Sequence, residues 1–108
     1  MDDPKHSYRF SLSRAYATWF KKLTKTSQET ATIISKRLVL VKDGEFGDFK
    51  YLGDKVFELR FGISLRIYYS IRKGNTVVLL LVAGNKDEQK LDIKAAKKIN
   101  KEIKDEDL

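Results

Sequence analysis

Arg60 and Arg66 are the residues most able to do chemistry. Val56 to Phe61 alternates, and so does Leu65 to Arg72, with Gly62-Ile63-Ser64 between them as a hairpin loop. If that hairpin pairs residue 58 with residue 68, Arg60 lies opposite Arg66. Side chains alternate along a strand, so Glu58, Tyr68, Ser70 and Arg72 share their face. Like charges directly opposite in a sheet repel. A fold tolerates such a pair more readily with an anion between the guanidinium groups, so the hairpin predicts anion binding. Other reactive chemistry is scarce. The chain has no cysteine and one histidine, His6, in a charged N-terminal arm. Disulfides, thiolate metal sites and Cys nucleophiles are excluded, and His-centred triads or zinc sites nearly so.

The elements that must position this hairpin can be read along the chain. Tyr8-Arg9-Phe10 alternates and can form a short strand. Ser11 or Ser13 can cap a helix reaching about Leu23, with Ala15, Trp19, Phe20 and Leu23 on one side. Thr26 followed by Glu29 matches a capping box for a second helix carrying Ala31, Ile34, Leu38 and Val41. Gly44 and Gly47 end it. Phe49 to Leu52 is a short strand broken by Gly53-Asp54, and Lys73-Gly74-Asn75-Thr76 is a second hairpin signal. Thr76 to Ala83 is apolar on both faces and belongs near the middle of a sheet. A last helix runs from about Asp87 to Ile103, with Leu91, Ala95, Ala96, Ile99 and Ile103 as its apolar positions. The expected architecture is a single α+β domain over 1–108. A helical hairpin covers the greasy face of a mostly antiparallel four-stranded sheet, and a C-terminal helix follows.

Composition narrows the partner. The 108 residues include 22 Lys and Arg against 15 Asp and Glu, a net charge of +7. That balance favours nucleic acid, an acidic protein or a membrane surface. With 42% hydrophobic residues the chain is too apolar for disorder. The longest apolar run, Val77 to Ala83, is too short to span a bilayer. No secretory signal is visible, so a cytoplasmic protein without a membrane association is expected.

The ordered segments resemble a known family. Phe46-Gly47-Asp48-Phe49-Lys50-Tyr51-Leu52-Gly53, Val56-Phe57-Glu58-Leu59-Arg60-Phe61 and Leu65-Arg66-Ile67-Tyr68-Tyr69 carry the likeness. It continues through Val78 to Lys86 and through Gln89 to Ala96. The order of E-L-R, R-x-Y-Y, G-x-K and Q-x-x-D-I is similar to the RelE/HigB superfamily of toxin–antitoxin ribonucleases, and most closely to its addiction-module killer-protein, HigB-like branch. The likeness covers roughly residues 8–104. Two departures stand out. The branch usually has Gly-Pro-Gly-Tyr-Arg where this chain has Gly62-Ile63-Ser64-Leu65-Arg66, and Gly-Asp-Lys-Ser-Thr-Gln where it has Gly84-Asn85-Lys86-Asp87-Glu88-Gln89. Asp87 and Glu88 suit the first turn of a helix.

The resemblance implies a RelE-like fold and a toxin that cuts mRNA without a metal or cofactor, in association with the ribosome. It also implies a cognate antitoxin, acidic and with a helix-turn-helix. Cleavage by the RNA's own 2′-OH needs a base, cations for the phosphorane, and an acid for the leaving oxygen. Arg60 and Arg66 are the phosphorane clamps in this reading. Glu58 is a candidate base, and Lys86 a candidate acid or base at a helix N-terminus. Tyr68 stacks on a base or donates a proton. Gln89 and Lys50 bind substrate.

Blander readings stand beside these. Glu58 can be an ordinary cross-strand ion partner, Arg60 and Arg66 solvated sheet charges, Lys86 a plain loop lysine and Tyr68 edge packing. Trp19, Phe20, Phe57 and Phe61 read as core. The run Lys94, Lys97, Lys98, Lys101 and Lys104 reads as a solvated helix face that can also touch RNA backbone. The rival function is a non-catalytic RNA-binding domain, or a superfamily toxin directed at a protein such as gyrase.

Overall fold

A computed structural model describes residues 7–62, 64–83 and 89–108. In chain order the elements are β1 (Arg9–Leu12), α1 (Arg14–Thr26), α2 (Gln28–Lys42), β2 (Phe49–Gly53), β3 (Val56–Phe61), β4 (Leu65–Arg72), β5 (Thr76–Ala83) and α3 (Gln89–Glu102). A single 3₁₀ turn over Asp105–Asp107 follows. The α+β class and the three long strands match the sequence reading. The sheet has five strands in the order β1-β5-β4-β3-β2. The short alternating segment at Arg9 becomes an edge strand parallel to β5, and the other pairings are antiparallel. With β1 outside it, β5 lies inside the sheet, as its two apolar faces require.

Two helix details differ from the sequence reading. The cap of α2 is Ser27, whose Oγ accepts from the Thr30 N–H. Thr26 is still in the last turn of α1, and its hydroxyl donates to the Lys22 and Leu23 carbonyls. In α1 the fully buried residue is Tyr16, while Ala15 is exposed; Ser13 caps the helix by accepting from the Tyr16 N–H.

The larger correction concerns the sheet faces. The helical hairpin covers one face, where Tyr16, Ile34 and Val41 meet Leu59, Ile67, Tyr69, Val77 and Leu79. The other face is not left open. Helix α3 lies on it, and Ala96 packs with Val56, Tyr68, Val78, Leu80 and Ala83, joined by Ile93 and Ile99. The cause is β5, whose apolar residues point both ways and need cover on both sides. Burying each such side chain stabilises the fold by about 1.5–3 kcal/mol. Leu91, one of the apolar positions read for this helix, is 70% exposed. Asn100 takes an inward place, and Arg72 satisfies it. Trp19, Phe20, Phe57 and Phe61 pack against the core as expected.

Candidate functional site

The site grows out of one hairpin. Arg60 pairs with Arg66, and Glu58 sits between Lys50 on β2 and Tyr68 on β4. The predicted register is therefore the observed one. Strand alternation puts these side chains on the face that carries α3. The helix starts at Gln89, beside the Arg66 end of the face, and finishes at the Arg72 end.

The anion expected between the arginines is supplied by the protein. Glu58 is buried, at 5% exposure. Its Oε1 accepts from Nε of Arg60 at 2.9 Å and lies 2.9 Å from Nη2. Its Oε2 lies 4.0 Å from Nε of Arg66. A buried carboxylate without a partner would lose several kcal/mol of hydration, and two guanidinium groups offset that loss. Arg60 remains 33% exposed along its side chain, and Arg66 12%. Arg66 also donates from Nη1 to the Gly62 and Leu65 carbonyls at 3.1 and 3.0 Å, which fixes its reach across the hairpin end.

Tyr68 forms the floor. Its ring is 0% exposed, so it has no free face for a nucleotide base, and the stacking role considered for it does not fit its position. Its hydroxyl is buried and has no hydrogen-bond partner among the described residues. Burial pushes the Tyr68 hydroxyl up to about 12; the charges of Glu58 and Asp92 push the same way and Arg66 opposes them. At neutral pH it is therefore a donor and not an anion. Ser70 Oγ, next along the same face, and Gln89 Nε2 at the start of α3 are likewise buried and unpartnered among the described residues. The Tyr16 hydroxyl, in the core on the other face, is buried and unpartnered among the described residues too, so such atoms are not confined to this site. Lys50 is exposed on the edge strand beside Glu58. Lys86, with Asp87 and Glu88, lies outside the described residues, as does His6.

Arg37 was missed by the sequence reading, and Arg72 and Asp92, though placed on this face and in the Q-x-x-D-I segment respectively, were given no role. Arg37 of α2 donates to the Phe46, Asp48 and Arg60 carbonyls at 2.8–3.0 Å and sits 5.0 Å above the Phe61 ring. It braces the backbone that carries Arg60. A side chain at Gly47, where φ is +71°, would come within 3.0 Å of Arg37 Nη2. Carbonyl acceptors leave no trace in a sequence, so nothing marked Arg37. Arg72 closes the far end of the face, donating to Asn100 O, Asn100 Oδ1 and Ile103 O. Asp92 follows Gln89 by three residues, one turn along α3, and its charge reaches Tyr68. The helical spacing was the available signal. Among the described residues no group of His, Asp or Glu could hold a metal ion, and no helix is long and apolar enough to cross a membrane.

Comparison with known proteins adds two findings. Residues 18–104 match the family model described as Phage derived protein Gp49-like (DUF891). The chain is also 34% identical over 90 residues to an uncharacterized protein of Haemophilus influenzae, an alignment covering 82% of this chain and 88% of that one.

Proposed function

The chain belongs to the Gp49-like phage-derived family, within the RelE/HigB-like superfamily of toxin–antitoxin toxins, and on that premise we propose that it is a HigB-like, metal-independent mRNA endoribonuclease. It acts in the cytoplasm, on mRNA held by the ribosome, and stops translation. Membership of a toxin–antitoxin family implies an antitoxin partner. In this reading that partner is acidic and carries a helix-turn-helix. A net +7 surface makes its association fast and salt-sensitive.

The observation that carries the reading is the Glu58 carboxylate shared by two arginines on a hairpin end. Its two oxygens are held unequally. Oε1 is tied to Arg60, while Oε2 is 4.0 Å from Arg66 and keeps acceptor capacity. Glu58 Oε2 takes the proton of the RNA 2′-OH. The 2′-oxygen attacks the adjacent phosphorus, and Arg60 and Arg66 stabilise the phosphorane through paired N–H donors. The bond to the 5′-oxygen breaks, and Lys86 supplies the proton that this oxygen takes. The products are a 2′,3′-cyclic phosphate and a 5′-hydroxyl. Lys50 and Gln89 flank the substrate strand, and Tyr68 lies beneath it as a neutral hydroxyl that can donate to the bound RNA.

The test is primer extension on total RNA after induction of the chain alone. New 5′ ends inside messages should appear together with growth arrest. Arrest with intact messages would transfer the reading to a toxin that acts on a protein target.

A further inference from the structure

We propose that the opposite face of the β2 edge is a second RNA-contact site, a stacking platform for unpaired bases that flank the scissile phosphate; this rests on the ribonuclease reading above. The helical hairpin leaves the β2 end of its own sheet face uncovered. Phe49 is 50% exposed there, Tyr51 55% and Ile71 37%. The rings are contiguous: Tyr51 and Phe57 lie 4.9 Å apart between centroids, and Phe49 and Phe57 6.4 Å. An open hollow of about 430 Å³ is lined by Tyr51, Phe57, Ile71 and Lys55. Half-exposed neighbouring aromatics on a sheet are a surface that water solvates poorly, and unstacked bases cover it well.

Charge selects the occupant. The turn Asp54-Lys55 holds both residues at positive φ, 53° and 66°. It sends its carboxylate one way, where Asp54 pairs with Lys97 of α3 at 3.3 Å on the other side of the sheet. Its lysine goes to the hollow. The Lys55 N–H donates to the Tyr51 hydroxyl at 3.3 Å, which steadies the ring against the turn. The lining thus joins apolar side chains to one cation with no carboxylate, which suits a base and its phosphate.

Continuity with the candidate site comes from strand alternation. Lys50, paired with Glu58, points to the catalytic face, and its neighbours Phe49 and Tyr51 point to the platform. Strand β2 is at the edge of the sheet. An RNA strand passing Lys50 has only to turn round one strand to reach the rings.

The probe is a fluorescein-labelled, single-stranded decamer of 2′-O-methyl uridine, which cannot be cleaved. Its binding to the full chain is followed by anisotropy across a salt series. Phe49→Ala with Tyr51→Ala should raise Kd about 10- to 100-fold without changing the salt dependence, since stacking and not charge is lost. Tyr51→Phe should bind as the parent chain does. Lys55→Ala should reduce the salt slope by about 1. Photo-crosslinking of a 4-thiouridine decamer to the unmodified protein should label the peptide holding Phe49 and Tyr51, and this measurement stands even if a variant fails to fold. Loss of decamer binding in the double variant with no cleavage by the parent chain supports the platform while removing the nuclease reading. An unchanged Kd, or crosslinks confined to the Arg60–Arg66 hairpin, overturns the platform. So does a double variant that keeps RNA binding but no longer co-purifies with its antitoxin, which would make the patch a protein surface.

Discussion

Arg66 and Arg72 lie on one strand, on one face, under one helix, and they are paired very differently. Arg72 meets the C-terminal end of α3 with its donors matched: Asn100 O at 2.6 Å, Asn100 Oδ1 at 2.7 Å, Ile103 O at 3.1 Å and Asp105 Oδ1 at 2.7 Å. Those carbonyls are among the helix-end acceptors with no partner inside the helix, so a cation there satisfies both the hydrogen bonds and the dipole. Arg66 sits near the other end of the face. Its Nη1 donates to the Gly62 and Leu65 carbonyls, but its Nε has a carboxylate only at 4.0 Å. One end of the strand is a finished structural joint. The other holds two arginines around one buried carboxylate, with Arg60 still one-third exposed along its side chain.

The strongest way to break this contrast is to truncate the arginines at each end. Arg60→Ala and Arg66→Ala should each lower the rate of mRNA cleavage about 100- to 1000-fold, equal to about 2.7–4 kcal/mol of transition-state stabilisation by analogy with an oxyanion-hole donor. Plating efficiency on induction reads this, and thermal melts should show each single variant folded but less stable, because Glu58 stays buried with one of its two cations removed. Full toxicity in the double variant would move the active site off the hairpin.

Arg72→Ala should reverse the pattern. It strands Asn100 and the last carbonyls of α3, and should cost about 1–3 kcal/mol of stability in denaturant titration. Below the melting transition, toxicity should be preserved. Asp105→Asn, which removes only the exposed partner of Arg72, should stay within about 1 kcal/mol.

Tyr68→Phe sharpens the comparison at its midpoint. It removes a buried hydroxyl without a partner among the described residues, so the protein should become more stable by about 1 kcal/mol. Cleavage should nevertheless slow, by about tenfold, because the neutral hydroxyl no longer donates to the bound RNA. The gain in stability with a loss of rate is what a functional orphan predicts and a packing residue does not. The same residue has a pH signature. Burial raises Tyr16 and Tyr68 to about 12, from 10.0, and raises Tyr69 as well. The folded state then holds protons that the unfolded chain has released, so stability is full below pH 10 and falls as pH rises from about 10 to 12. Tyr68→Phe should make that alkaline decline shallower in melts between pH 9 and 12.

Much of this was legible in the residues. Period-2 alternation placed β3 and β4, the Gly62 and Lys73-Gly74-Asn75 signals placed their turns, and counting back from the loop put Arg60 opposite Arg66. Those inferences hold because strand periodicity and hairpin register are local properties, decided within a few residues of each turn. Two-sided hydrophobicity marked β5 as interior for the same reason.

Which residues would meet across the molecule was a different matter. The side of the sheet that α3 covers, the use of Arg37 on three carbonyls, and the pairing of Arg72 with the end of α3 depend on how layers stack, and none has a local sequence signature. The tertiary structure also turned Tyr68 from a candidate stacking surface into a buried floor, and made Glu58 the anion between the two arginines. The residue types and their order determined which groups face the same way. Only the packing of α3 on that face decided how much water each retains, and water content sets both the strength of a charge and the pKa of a hydroxyl.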